Sequence, residues 1–265
     1  MFRSLANKIY TAKEAVEKKQ RALREDFPLH AYLTQQSIKV MEYPFPCIVV
    51  DNFFNEETYR NICTHFESVL EGGFSKIQTA SQFHPFEYSD KNYEYDGYVY
   101  APWPKEADVL QLFFSLAWNT FFANIFGQAT SLCTSMAYHH HPAGNRTGFI
   151  HNDFTPKIFS LEDKLENGVI FREYHGAAKS LPYTPTLIRE TRKIALIYYI
   201  GNRPWQEGDG GETGLYESKE GKPKVLIAPQ SNRLLAFLIS SNSFHAFQEN
   251  FQSRDSIVQW FHSND

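Results

Sequence analysis

Apolar positions recur at three- and four-residue steps over much of the first half of the chain. From residue 131 onward they alternate or gather in short runs. A stripe of Leu5, Ile9, Tyr10, Ala12 and Val16 predicts a helix over 3–25, closed by Asp26-Phe27-Pro28, since the residue before a proline avoids helical angles. Residues 48–50 form a short buried-strand run. After it Asn55 is an N-cap candidate for a helix whose core stripe is Tyr59, Ile62, Cys63, Phe66, Val69 and Leu70, stopped at Glu71-Gly-Gly73. A second helix is expected over 105–126, with Gly127 as its C-terminal stop. Strands are expected at 131–138, 147–153, 194–200, 214–216, 225–228, 234–238, 244–247 and 256–261. Turns fall at Asn202-Arg-Pro204 and Gly208-Asp-Gly-Gly211. Many short strands joined by Gly/Pro turns predict a sandwich or barrel.

Three segments fall outside this pattern. Residues 74–104 are loop-like and hold Phe83, Phe86, Tyr88, Tyr93, Tyr95, Tyr98, Tyr100 and Trp103, which suit either a substrate-pocket lining or edge strands over the core. Residues 154–192 lack periodicity. An insertion of that length is expected to act as a lid or substrate loop, or to lie on the surface, with Arg172, Tyr174, His175, Arg189 and Arg192 as candidate contacts. His139, His140 and His141 cannot all face one ion if they lie on a strand, so they are read as a His-rich loop before Pro142; His84 and His175 are read as ordinary loop histidines.

Composition narrows the class. At 265 residues, 42% hydrophobic and 16% aromatic, the chain suits one domain: a helical extension over 1–45, a helical and aromatic support region over 46–130, and a β core over 131–262. A formal net charge of -4 without a dense basic patch argues against nucleic acid as a partner. Cys47, Cys63 and Cys133 have no CxxC spacing and read as buried free thiols. No apolar run approaches the ~20 residues of a membrane span, and no signal-like run follows Met1, so a cytoplasmic protein is expected, free of the membrane and monomeric or homodimeric.

The chemistry centres on Phe149-Ile-His151-Asn-Asp153-Phe154. On an extended strand, side chains two apart share a face, which would project His151 and Asp153 together; His245 would complete a face of three. Two histidines and one carboxylate with open positions is the arrangement of non-haem Fe(II) oxygenases. Arg254 follows His245 by nine residues and shares strand parity with Ser256, Val258 and Trp260. A guanidinium and a hydroxyl two residues apart suit a carboxylate ligand.

In these residues the chain resembles the Fe(II)/2-oxoglutarate-dependent oxygenases of the prolyl-hydroxylase type. The matching motifs run from Met136 through Tyr138, Pro142, His151 and Asp153. They continue through Lys193-Ile-Ala-Leu-Ile-Tyr-Tyr-Ile200, Trp205 to Tyr216, Ile227-Ala-Pro229, Arg233 to Phe237, and His245 to Phe261, with a weaker echo at 45–54. The resemblance implies a double-stranded β-helix (a jelly-roll, cupin-like core with helices packed outside). It also implies Fe(II) held by His151, Asp153 and His245, with O2 and 2-oxoglutarate as cosubstrates and ascorbate in support. Arg254 and Ser256 would hold 2-oxoglutarate. Tyr138 resembles the tyrosine that contacts it, although three extra residues separate Tyr138 from the His-x-Asp motif, and Tyr198 is a competing phenol. Related halogenases carry a small residue at the carboxylate position, so Asp153 argues for hydroxylation.

The expected activity is hydroxylation of an unactivated C–H bond in an amino-acid-like substrate, either a prolyl residue or a small molecule. A catalytically silent β-helix that binds a partner, or a Zn- or Mn-binding cupin, remains open; Arg254 and Ser256 speak against the cupin, which needs no carboxylate anchor there.

Overall fold

The computed structural model describes residues 28–34, 38–77, 97–174 and 184–264. The expected helix over 3–25 lies outside them, as do Phe83, His84, Phe86, Tyr88, Tyr93, Tyr95 and His175. Twelve strands occur among the described residues: β1 Ile38–Met41, β2 Cys47–Val50, β3 Ser75–Ile77, β4 Gly97–Tyr100, β5 Thr134–His141, β6 Pro156–Ser160, β7 Leu187–Tyr199, β8 Thr213–Tyr216, β9 Val225–Ile227, β10 Arg233–Leu238, β11 Phe244–Phe247 and β12 Arg254–Ser263. The major antiparallel sheet has the order β1-β2-β10-β7-β12-β5-β4-β3, with β6 on the far end of β7, and the minor sheet has the order β11-β8-β9. Their facing sides enclose one core of Val49, Ile197, Tyr199, Leu215, Leu235, Phe237 and Val258. The outer side of the major sheet is covered by helices over a second core containing Phe54, Trp118, Tyr138, Tyr198, Ile257 and Phe261. This is a jelly-roll with helices packed outside, mostly β as expected.

Helix α1, Glu56–Gly72, starts where Asn55 accepts from the backbone N–H of Thr58 at 2.8 Å, and it buries Ile62 and Phe66 against the sheet. The second expected helix is split. A 3-10 helix, Asp108–Phe114, ends at Ser115, whose extended backbone breaks the run and whose hydroxyl caps α2, Leu116–Phe126. Gly127 closes α2 in the left-handed conformation, as its position implies. Among the described residues no single helix is long and apolar enough to cross a membrane.

Two strand expectations need correction. His139, His140 and His141 belong to β5 rather than a loop, so they alternate: His139 and His141 lie opposite Ser256 and Arg254, while His140 pairs with Asp255 at 2.6 Å. Residues 147–153 form no strand. They run beside β11 and bond to it only where the Gly148 N–H donates to Phe247 and where His151 and His245 exchange backbone bonds of 3.0 and 2.7 Å. The 208–211 turn behaves as read, with Gly208, Gly210 and Gly211 all at positive φ; a Cβ at Gly210 would sit 2.1 Å from the Glu249 carbonyl oxygen.

Candidate metal centre

His151 and His245 are paired across that two-bond bridge, with ring centroids 4.3 Å apart. Each imidazole places Nδ1 3.1 Å from a backbone oxygen two residues upstream, Phe149 for His151 and Ser243 for His245. A carbonyl can only accept, so Nδ1 carries the proton and Nε2 is left with a free lone pair. Asp153 reaches the same space by a different device from strand alternation. Its backbone sits at φ +57°, in the left-handed region that Asp tolerates better than most residues, and this turn swings the carboxylate back toward the rings. Asp153 Oδ1 lies 3.9 Å from His151 Nε2, and Oδ2 lies 3.6 Å from His245 Nε2. The candidate ligand atoms of all three residues fall within 4.8 Å of one another. Two neutral Nε2 donors and one carboxylate oxygen on a single small space fit a divalent ion bound on one face, with further positions open.

The electrostatics suit a cation. Burial, then the neighbouring His245, holds the His151 imidazole down at about 4, so it is neutral at physiological pH. Burial opposes ionisation of Asp153, but the Arg192 guanidinium outweighs it and keeps the carboxyl ionised, well below the usual carboxylate range. Arg192 Nη1 donates to Oδ1 at 2.7 Å and the Trp260 indole N–H donates to Oδ2 at 2.8 Å, so both oxygens are oriented.

Deeper in the same interior lies Arg254, buried at the start of β12. Its Nη2 donates to the Thr213 hydroxyl at 3.1 Å, and its guanidinium lies over the rings of Tyr199 and Phe247. Among the described residues no carboxylate pairs with it; Asp255 is engaged by His140 instead. Among the described residues the Arg254 Nε and the Ser256 hydroxyl are both buried without a hydrogen-bond partner. Two orphaned donors on one strand face are what a bound carboxylate would satisfy.

Register assigns the remaining side chains. Residues directly opposite one another in an antiparallel ladder share a face. Ser256 is opposite Tyr199 on one side and His139 on the other, so these three face the interior with Arg254. Burial, then Arg254, holds the His139 imidazole down at about 4. Ile257 is opposite Tyr198 and Tyr138, which therefore face the helices. The sequence-based assignment of Tyr138 and Tyr198 to 2-oxoglutarate is corrected on this ground. Tyr138 meets His65 Nδ1 at 2.8 Å and Tyr198 donates to Asn232 at 2.8 Å, both in the helix-side core. The phenol that does stand in the interior is Tyr199, 2.6 Å from the Thr213 hydroxyl.

The chain resembles known proteins in part of its sequence and in its fold. Residues 174–262 match the model of the 2OG-Fe(II) oxygenase superfamily. A prolyl-4-hydroxylase from Pseudomonas putida superposes with a TM-score of 0.52 at 12% identity, covering 83% of this chain and 93% of that one. A prolyl hydroxylase from Trichoplax adhaerens, solved with a peptide fragment of a hypoxia inducible factor, gives 0.54 at 16% identity, covering 82% and 83%. A viral collagen prolyl hydroxylase from Paramecium bursaria Chlorella virus-1 gives 0.50 at 13% identity, covering 88% and 97%. At these identities the structural likeness is one of fold. Residues 174–262 thus match the 2OG-Fe(II) oxygenase superfamily, and the chain shares its fold with solved prolyl hydroxylases.

Proposed function

We propose that the protein is an Fe(II)- and 2-oxoglutarate-dependent dioxygenase that hydroxylates an unactivated C–H bond of an amino-acid-like substrate. The observation that carries this reading is the pairing of two features in one interior. One is a set of two free Nε2 atoms and a carboxylate; the other is a buried arginine with no acidic partner among the described residues. A protein that only binds a partner needs neither an open ligand triad nor an unpaired buried guanidinium, whose desolvation is costly.

In this reading His151, Asp153 and His245 hold Fe(II). Arg254, with Ser256, Thr213 and Tyr199, receives the distal carboxylate of 2-oxoglutarate, the guanidinium through charge-assisted bonds and the Ser256 hydroxyl through a bond left unmade among the described residues. When bound, Fe(II) supplies the O2-dependent oxidative decarboxylation of 2-oxoglutarate to succinate and CO2 that drives oxidation of the substrate. The chain's own part is to aim both imidazoles, keep Asp153 ionised, and fix the diacid at one end.

The Trichoplax relative was solved with a peptide, which makes a peptidyl residue the first substrate class to try here, beside free amino acids. The test is succinate formation from 2-oxoglutarate with Fe(II), ascorbate and panels of both kinds. Iron-dependent succinate that is lost in His245→Ala supports the reading. Turnover that survives that change, or never depends on iron, contradicts it.

A further inference from the structure

Asp153 is the only anionic member of the triad, yet a cation is in direct contact with it. Arg192 donates to Asp153 at 2.7 Å, and its side chain is 10% exposed. A positive charge held this close to a metal ligand in a poorly screened interior repels a divalent ion. The same guanidinium has a second partner. Its Nη2 donates to Glu173 at 2.8 Å, and the Glu173 side chain is 8% exposed.

Burial works to raise the Glu173 carboxyl, but Arg192 and Lys157 hold it down at about 2, so the pair is ionised on both sides. The other groups facing Glu173 are the Ser135 hydroxyl at 2.9 Å, Lys157 at 3.3 Å and His262 Nε2 at 3.9 Å. Of these Lys157 is more exposed to solvent, and burial and Arg192 hold His262 neutral, down at about 3. The Arg192 guanidinium carbon also lies over Trp260, 3.9 Å from the ring centroid, and that indole N–H is the second donor to Asp153.

We propose that Glu173 is a positioning residue for the metal centre: it neutralises Arg192, so that Arg192 orients Asp153 without setting a net positive charge against the bound dication. This rests on the reading of His151, Asp153 and His245 as metal ligands. It gives the segment before β7 a defined task, since Glu173 lies in it and is bridged through its backbone to Phe159 of β6. Orientation and charge separate cleanly here. Glu173→Gln keeps a hydrogen-bonding side chain of the same shape and removes only the compensation.

The test is anaerobic titration of the apo protein with Co(II), followed by its visible absorption, beside thermal unfolding of each apo variant. Wild type is expected to bind one Co(II), with binding lost in His245→Ala. Failure there overturns the metal reading itself, and this proposal with it. Glu173→Gln is expected to weaken Co(II) by about 10- to 100-fold, the range that outer-shell partners of metal ligands command. The double variant Arg192→Gln/Glu173→Gln removes both charges and, although it also gives up the guanidinium bond to Asp153, is expected to bind Co(II) more tightly than Glu173→Gln alone. Such a reversal is a coupling that a purely structural role does not produce. Wild-type affinity in Glu173→Gln, or a double variant no tighter than the single, overturns the proposal. Should Glu173→Gln not fold, the double variant decides alone, with affinity weaker by about tenfold or more counting against it.

Discussion

Strands β7 and β12 carry two faces with opposite habits. On the helix side every large polar side chain closes on another. Gln259 accepts from the Trp118 indole at 2.8 Å and donates to the Phe113 carbonyl and the Thr134 hydroxyl at 2.7 and 3.0 Å. Tyr198 ends on Asn232, which also exchanges two bonds with the backbone of Phe54. On the interior side, one residue away along the same strands, Ser256 and the Arg254 Nε are left open. The two faces are similarly buried, so burial does not separate scaffold from site. Completion of the hydrogen bonds does so around Arg254 and Ser256, with Arg192 Nε and His262 Nε2 further open atoms on the same two strands.

The comparison can be broken at several points. The largest effect belongs to His245→Ala, which removes an Nε2 donor; metal affinity measured by Co(II) titration should fall by more than about 100-fold, beyond the usual loss of an outer-shell partner. Arg254→Ala comes next. Losing charge-assisted bonds worth about 2–3 kcal/mol should raise the KM for 2-oxoglutarate by roughly 30- to 150-fold, with metal affinity retained. An unchanged KM would remove the anchor assignment.

A sharper test uses two neighbouring phenols. Tyr199→Phe should weaken 2-oxoglutarate by about 5- to 10-fold, the worth of one hydrogen bond. Tyr198→Phe should leave cosubstrate affinity alone and cost about 1 kcal/mol in urea unfolding. The reverse outcome would mean that the register-based faces are misassigned.

The smallest effect is on pH. Burial, then Arg192, holds the His262 imidazole at about 3, against ~6.5 for an unfolded chain. The unfolded state therefore binds the extra proton first, and stability is lost as pH falls from about 6.5 toward 3. Unfolding midpoints should drop between pH 7 and 5. His262→Gln should flatten that slope by up to about 1.4 kcal/mol per pH unit. A slope as steep as wild type's would mean that His262 does not contribute.

Much of this was legible in the sequence, for unequal reasons. The β core, α1 with its Asn55 cap and the Gly127 stop follow from local chemistry, and the structure has them near their expected bounds. Type and spacing single out His151, Asp153 and His245, which the structure brings together, and Arg254, which it buries, but the reason for the pairing of His151 with Asp153 differs from the one expected. Strand alternation does not bring His151 and Asp153 together; a left-handed residue does, and φ is not written in a His-x-Asp pattern.

Tyr138 and Tyr198, the two phenols named from the sequence, face the helices for a different cause. Ile194 to Ile200 is buried on both faces, so its hydrophobic run has no alternation from which parity could be read. Only the register against Ser256 tells the two apart, and register is a long-range property. Glu173 was missed because it belongs to an aperiodic segment whose partners lie far away in sequence. Arg192, named as a contact of that segment, turned out to be its link to Asp153.

The central claim is that one interior holds both a metal face and a diacid anchor. Calorimetric titration of 2-oxoglutarate into protein loaded with Mn(II), under argon, tests it most directly. Binding should require the metal and Arg254 together: strong in the Mn(II) wild type, weakened by the order of 100-fold without metal or in Arg254→Ala. Equal affinity with and without Mn(II), or no binding of 2-oxoglutarate to the loaded wild type, would contradict the account.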